Sequence, residues 1–505
     1  MLEIPPTTLT DLDLETAADE EIRRPRLLLP RQALEYALEN HISEVAEYLK
    51  GLYSRGLELL GADEIQATKS GHSLRPLAIL SLSERVLYEA LASKIASYLP
   101  PISREYRDWE AFAKAPLAET GTRYVVSADI ASFYHYVDHE LLESELVAQT
   151  GDAALANTMS AFLHGVMQRQ FGLPQLYRAS DILSDLVIDI VERRLIRQGW
   201  VVWRFNDDFR LAVKSWRAAQ GAIEALDREA RAIGLSLNDE KTFPQRTATY
   251  SRWIAAPDAA WDKINDTVEF DFRAYSPYGS EEGGTAEEDE EEEEEEEDPT
   301  LVEAAALRAL EYWSDLPSRG TKEGVPVQVY RRLLRQALTA LTQIGSPEGL
   351  PTVRNILARE PQFAPFVSRY LSSAATGDPV AVMETFEGLS SDRLLYLNSW
   401  QRLWLMESIP TLSRVSPSIT KWMKNCLVST KPGILRARAA LVLAWVGAIK
   451  PNEIVRVFEQ LPEASRPDAV AALATLVGES DPRVRAMASD SPISRWVVDW
   501  ATRAG

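Results

Sequence analysis

Cysteine is almost missing from this 505-residue chain, which has one, Cys426. A single thiol builds neither an internal disulfide framework nor a thiolate zinc site, and an intracellular, cytoplasmic setting is expected. Histidine is scarce too, with five residues, too few for much of a His/Cys endonuclease cluster. No run of about 18 apolar residues occurs, so no membrane span is expected. The first 26 residues are acidic and lack an apolar core segment, unlike a secretory signal. Apolar residues nevertheless make up 46% of the chain, which excludes disorder throughout. The length predicts about two to four domains.

The net charge of −21 argues at first against a polyanionic partner. Its distribution weakens that objection. Residues 281–298 hold 14 acidic side chains and no basic one, whereas residues 299–505 hold 24 basic against 19 acidic. Like charges repel and nothing in the acidic tract can fill a core, so it reads as a disordered linker, with competition for a basic groove as the sharper alternative.

On either side of that tract the patterning differs. Leu34–Tyr53 and Ser83–Tyr98 have helical periods. Arg123–Ile130 is a short β-branched run carrying an aspartate. Val201–Val213 is two apolar strands around an Asn-Asp-Asp tip, a hairpin. Ala218–Ile233 is an amphipathic helix with Gly234 at its C-cap. The first half is therefore α+β. After residue 298, helix-length segments alternate with breaks at Gly345–Pro347, Thr376–Pro379, Lys431–Gly433, Lys450–Asn452 and Ser480–Pro482. This predicts an all-helical, HEAT-like α-solenoid, with residues 466–488 the most repeat-like stretch. The expected division is 1–122 (N-terminal helices and fingers), 123–250 (palm), 251–280 (irregular connector), 281–298 (acidic linker) and 299–505 (helical repeats).

Four segments carry chemistry: Asp129 with Phe133 and Tyr134; Leu173-Pro174-Gln175 with Ser180; Phe205-Asn206-Asp207-Asp208; and Gly234 through Thr242. Two adjacent carboxylates on a hairpin tip repel unless a cation holds them, and Asp129 at a strand end could complete the site. Three oxygen donors with open positions suit Mg²⁺. Two such ions about 3.5–4 Å apart bind the attacking and leaving oxygens of a phosphoryl displacement.

In this order the segments resemble motifs A to D of the reverse transcriptase palm, and Lys69 through Leu77 looks like the family's fingers segment. The resemblance covers about half the chain. It implies a two-metal nucleotidyltransferase using two Mg²⁺ ions, with Mn²⁺ as a substitute. Asp129, Asp207 and Asp208 are then the catalytic carboxylates and metal ligands, and Ile130 joins the metal set. Tyr134 matches the steric gate that favours dNTP over NTP. Gln175 would line the nucleotide pocket, and Lys69, Arg75 and Lys241 would reach the triphosphate.

Two departures stand out. Leu176 occupies the position where motif B has glycine, which bears on ordinary templated copying, and no three-helix thumb follows motif D. A palm without a clear thumb, fused to helical repeats, resembles the prokaryotic abortive-infection and "unknown group" defence-associated reverse transcriptases. That implies antiviral (phage) defence, protein-primed or template-independent DNA synthesis, homo-oligomers, and a single-stranded DNA product, with an RNA template or noncoding RNA as a further partner. The alternatives are a group II intron or retron-type enzyme copying RNA, and a catalytically silent nucleic-acid-binding scaffold. Residues 401–450 hold eight basic side chains and one acidic, Glu407. Lys421, Lys424, Arg436 and Arg438 are the expected nucleic-acid-binding cluster, since a polymerase without a thumb still needs a positive surface.

Overall fold

Among the described residues, six strands form two sheets. They are β1 (Asp63–Thr68), β2 (Leu74–Ile79), β3 (Tyr124–Asp129), β4 (Val201–Phe205), β5 (Asp208–Val213) and β6 (Phe243–Arg246). The structure is a computed structural model, and it describes all residues except 25, 27, 70–72, 100–108, 269–297, 316–326, 413, 490 and 505. All of the acidic tract but Asp298 lies outside the described residues. So do positions 269–280 of the expected connector, and Ser70, Gly71 and His72 of the fingers segment.

The chain divides into two compact units. The first comprises Met1–Pro25, Glu35–Glu64 and Leu77–Ala255; the second comprises Arg26–Leu34, Ile65–Pro76 and Ala256–Gly505. The division does not follow a cut at the acidic tract, because two N-terminal segments are grouped with the C-terminal helices.

In the first unit an antiparallel sheet runs β4-β5-β3-β6, while β1 and β2 pair as a separate hairpin. β3 is central, and Val125, Val126 and Ala128 are fully buried. Val125 and Val126 are neighbours and so face opposite sides, which means the strand is covered on both faces. The helix Trp216–Arg231 packs on β3 and β5, and Arg178–Arg197 packs on β4. Ser215 starts the former by accepting from the Ala218 N–H. The helix Leu82–Tyr98 starts with a capping box, Ser81 with Glu84, and is buried on most sides, which accounts for its weak amphipathic pattern.

The connector is not irregular throughout. β6 is followed directly by a helix over Thr247–Val268. Pro244 lies in β6, an edge strand, where a residue without an N–H is tolerated. Pro257 lies inside the helix, and Tyr250 anchors its start, fully buried and donating to the Ala113 carbonyl at 2.8 Å.

Among the described residues, the second unit from Ala256 onward contains helices and no strand. Most of the expected breaks begin a helix: Pro379, Pro451 and Pro482 each occupy the first helical position, where the missing N–H costs nothing. Alternate helices pack on one another, Gly433–Trp445 on Arg466–Val477 and the latter on Pro492–Ala504. Among the described residues no helix is long and apolar enough to cross a membrane.

The expected basic cluster does not form as one surface. Lys421 and Lys424 are exposed on the helix Pro417–Lys424, but Arg436 and Arg438 are only 4% and 3% exposed. Arg436 donates to Gln460 Oε1 at 2.7 Å. Arg438 pairs with Asp468 at 2.8 Å and with both oxygens of Glu407 at 2.8 and 3.0 Å, and donates to the Arg31 carbonyl at 2.6 Å. Asp468 in turn accepts from the Ala33 N–H at 2.8 Å. A buried guanidinium needs carboxylates, and these arginines spend their donors on the interior rather than on phosphates. Asp468→Ala should destabilise the protein by about 3 kcal/mol, because it takes one of two carboxylates from a buried cation and leaves the Ala33 N–H without its acceptor; urea unfolding followed by circular dichroism measures this.

Candidate active site

The register of the sheet builds the site. β3 and β5 are antiparallel, and Asp129 lies directly opposite Asp208. β4 and β5 are joined through Asn206 and Asp207, with Phe205 paired to Asp208. A two-residue hairpin loop needs positive φ near its start, and Asn206 supplies it at 51°. Asp207 therefore sits at the tip beside the end of β3, where its carbonyl accepts from the Ile130 N–H at 3.1 Å. Among the described residues, Asp129, Asp207 and Asp208 are the group of acidic side chains able to hold a metal ion, with one oxygen of each within 4.8 Å of the others.

Like charges placed directly across a strand pair destabilise it. The Asp208 carboxyl is pushed up to about 6, first by burial and then by Asp129 and Asp207, against the pull of Arg210 and Lys241. Asp129, 5% exposed, is answered by two groups from the turn after Gly234. Lys241 Nζ reaches Oδ1 at 3.1 Å, and Asn238 Nδ2 donates to Oδ2 at 3.1 Å. The backbone closes the same contact: Asn238 N–H donates to the Asp129 carbonyl at 2.8 Å, and Ala131 N–H to the Ser236 carbonyl at 2.9 Å. Partial burial works to lower the Lys241 ammonium, but the hydrogen bond and charge of Asp129, with Asp208 and Asp207, raise it overall. Three hard oxygen donors crowded at this distance fit a divalent cation, which would relieve the repulsion one lysine only partly offsets.

Two arginines that the sequence did not single out support the triad. Arg210, on β5, lies 3.6 Å from Asp208 and receives its orientation from Tyr250, to whose hydroxyl it donates at 3.2 Å. Its guanidinium also stacks over Trp109 and Phe112. Arg204, buried on β4, pairs with Asp185 at 3.0 Å and Glu192 at 2.8 Å and donates to the Asn206 carbonyl at 3.0 Å, which pins the hairpin tip. Neither has a motif signal. An arginine in the middle of a strand otherwise reading as buried was the available hint.

Tyr134 follows Ser132, whose φ of 51° turns the chain from β3 into the short helix Phe133–Tyr136. Its hydroxyl donates to Asp181 at 2.7 Å. Burial, then the charge of Asp181, raises the phenol well above its ordinary value, and burial likewise raises the Asp181 carboxyl. Ser180 is fully buried, bonded to the Pro174 carbonyl and, at 2.8 Å, to Tyr88. Gln175 is half-buried in the turn between them, and Leu176 adopts φ of 82°. That left-handed backbone is glycine's region, and a branched residue there costs about 1–2 kcal/mol.

The sequence-expected residues are divided between the two units. Asp129, Asp207, Asp208 and Lys241 come together, with Ile130 buried beside them. Tyr134 lies close enough for the charge of Asp207 to act on its phenol. Lys69 and Arg75 lie on the β1–β2 hairpin, in the part grouped with the second unit, and Lys421 and Lys424 also belong to that unit. Calorimetric titration with Mn²⁺ or Mg²⁺ should show binding to the protein that Asp129→Asn and Asp207→Asn each weaken at least about tenfold, since each removes one charged oxygen ligand.

None of the curated proteins matches the chain. Residues 67–251 match the family model for reverse transcriptase (RNA-dependent DNA polymerase), a family of nucleotidyltransferases, and the matched segment contains every residue of the triad.

Proposed function

We propose that this protein synthesises DNA by metal-dependent nucleotidyl transfer from dNTPs. The observation that carries the reading is the carboxylate triad at the β3–β5 register, inside the segment matching the reverse transcriptase family. Asp129, Asp207 and Asp208 would hold the divalent ions. When bound, these ions supply charge stabilisation to the attacking and leaving oxygens. Lys241, already drawn to Asp129, carries a mobile positive charge beside the reacting phosphates, and Lys69 and Arg75 are the proposed triphosphate contacts of the fingers. Gln175 borders the nucleotide. The ring of Tyr134, held by Asp181, occupies the space that a ribose 2′-hydroxyl would need.

The finer reading follows the subgroup resemblance. Leu176 places a branched side chain where templated enzymes of this class have glycine, which favours synthesis with little dependence on a template. The packing of alternate helices in the second unit supports a HEAT-like solenoid, with Lys421 and Lys424 as cations available to the product strand. A role in phage defence by abortive infection, with a protein primer and self-association, completes the reading.

Purified protein incubated with labelled dNTPs and Mg²⁺, with and without an added RNA template, tests it. Incorporation is expected, and Asp207→Asn should reduce it at least about 10³-fold. Near-wild-type incorporation by that variant would sink the assignment. Tyr134→Val should retain dNTP use and gain NTP incorporation about 10-fold, a modest shift because an apolar wall rejects an added hydroxyl weakly. Competition between labelled dATP and ATP reads the change.

A further inference from the structure

The first unit carries a stacked aromatic surface that the triad does not use. Tyr136 and Phe171 are 50% and 38% exposed. Their rings stack with centroids 6.4 Å apart and planes at 18°. His135 meets both edge-on, at 4.8 Å from Tyr136 and 6.2 Å from Phe171. The Arg169 guanidinium lies over Phe171 at 4.9 Å, donates to the Phe171 carbonyl at 3.0 Å, and approaches His135 Nδ1 at 3.4 Å.

The surface is built, not incidental. The chain after Tyr136 pairs with the chain before Leu173: Asp138 bridges Phe171, Gly172 N–H donates to the Val137 carbonyl at 2.7 Å, and His139 N–H donates to the Gln170 carbonyl at 3.1 Å. The buried His139 ring bonds the Gly172 carbonyl at 2.7 Å. Gly172 has φ of 93°, and a Cβ there would meet Arg169 Nη2 at 3.0 Å and the His135 carbonyl at 3.1 Å. The left-handed backbone and the nearby His135 carbonyl favour glycine at this position. The same pairing continues into the site, because Leu173 N–H donates to the Tyr134 carbonyl at 2.8 Å.

We propose that Tyr136, Phe171 and Arg169 form a stacking platform for an unpaired base of single-stranded nucleic acid, next to the polymerisation site. Exposed rings beside a guanidinium suit a nucleotide: the π-faces take the base and the cation takes the adjoining phosphate. Burial, then the charge of Arg169, holds the His135 imidazole below its ordinary range, against the opposing carboxylate of Glu64, so at neutral pH His135 acts as a neutral ring and Arg169 carries the charge. The inference rests on the polymerase reading for the strand's source, but binding alone decides it.

Fluorescence anisotropy of the full-length protein with fluorescein-labelled 20-mers of dT and of U, in EDTA so that no synthesis occurs, tests the platform. Tyr136→Ala and Phe171→Ala should each weaken binding about 5- to 30-fold, whereas Tyr136→Phe and Phe171→Tyr stay within about twofold. Arg169→Gln should also reduce the slope of log affinity against log salt by about one. Oligonucleotides carrying 5-iodouracil should cross-link to Tyr136 or Phe171, a result that a purely structural role would not give. Tighter binding of dT points to the DNA product, and tighter binding of U to an RNA strand. Alanine variants that keep their thermal melts and bind both oligonucleotides like wild type, with no cross-link at either ring, overturn the platform. Should Phe171→Ala not fold, the half-exposed Tyr136→Ala carries the comparison. Failure of dNTP incorporation by wild type counts against the polymerase reading and leaves this binding result standing.

Discussion

Antiparallel pairing of β3 with β5 places Asp129 opposite Asp208, and the two-residue hairpin adds Asp207 at the same edge. Three carboxylates are thus crowded by backbone register, not by side-chain choice, and a shift of one residue would send them to opposite faces. Much of the surrounding structure answers that crowding. Lys241 and Asn238 reach Asp129, Arg210 faces Asp208, and Arg204 holds the hairpin through the Asn206 carbonyl. Each supporting group is itself fixed: Arg210 by Tyr250, Tyr250 by the Ala113 carbonyl, and Arg204 by Asp185 and Glu192. The result is a group of carboxylates held in place before any ion arrives, as a divalent cation would require of its ligands.

Backbone strain gathers in the same region. The described non-glycine residues with positive φ are Ser132, Gln168, Leu176 and Asn206. Ser132 turns the chain after motif A, Asn206 forms the hairpin tip, and Leu176 follows Gln175. Gln168 ends the helix Ala153–Met167 just before Arg169 and Phe171. Residues held in sparsely populated backbone regions persist where the surroundings over-determine them. Here they sit at the segments that carry the carboxylates, at the turn after Gln175 and beside the stacked rings of Tyr136 and Phe171.

The second unit shows the opposite use of charge. Arg438, Glu407 and Asp468 are turned inward, and through the Arg31 carbonyl and the Ala33 N–H they hold the segment Arg26–Leu34 to the helices. Trp400 adds a donor to the Leu28 carbonyl at 2.6 Å, and Asn398 one to Thr68 at 2.7 Å. Charged residues spaced for a basic surface are therefore partly consumed in binding an early piece of the same chain, while Lys421 and Lys424 stay at the surface.

The sequence by itself determined what is local. Helix starts are set by near neighbours: by Ser81 with Glu84, by Ser215, and by prolines at first helical positions. The hairpin followed from two apolar runs around Asn206 and Asp207, and the chemistry from aspartates at fixed places in ordered motifs. These features depend on neighbours within a few residues, which a linear reading can see. Tertiary structure alone decided the rest. The Asp129–Asp208 register, the inward turn of Arg436 and Arg438, the Asp181 partner of Tyr134, and the meeting of Tyr136 with Phe171 all join residues distant in the chain. The helix Thr247–Val268, which overlaps the connector expected to be irregular, holds Pro257 inside it, and the cost of that proline depends on packing. An arginine reads the same in sequence whether it faces phosphate or a buried carboxylate. Desolvation settles which, and it exists only once the chain has folded.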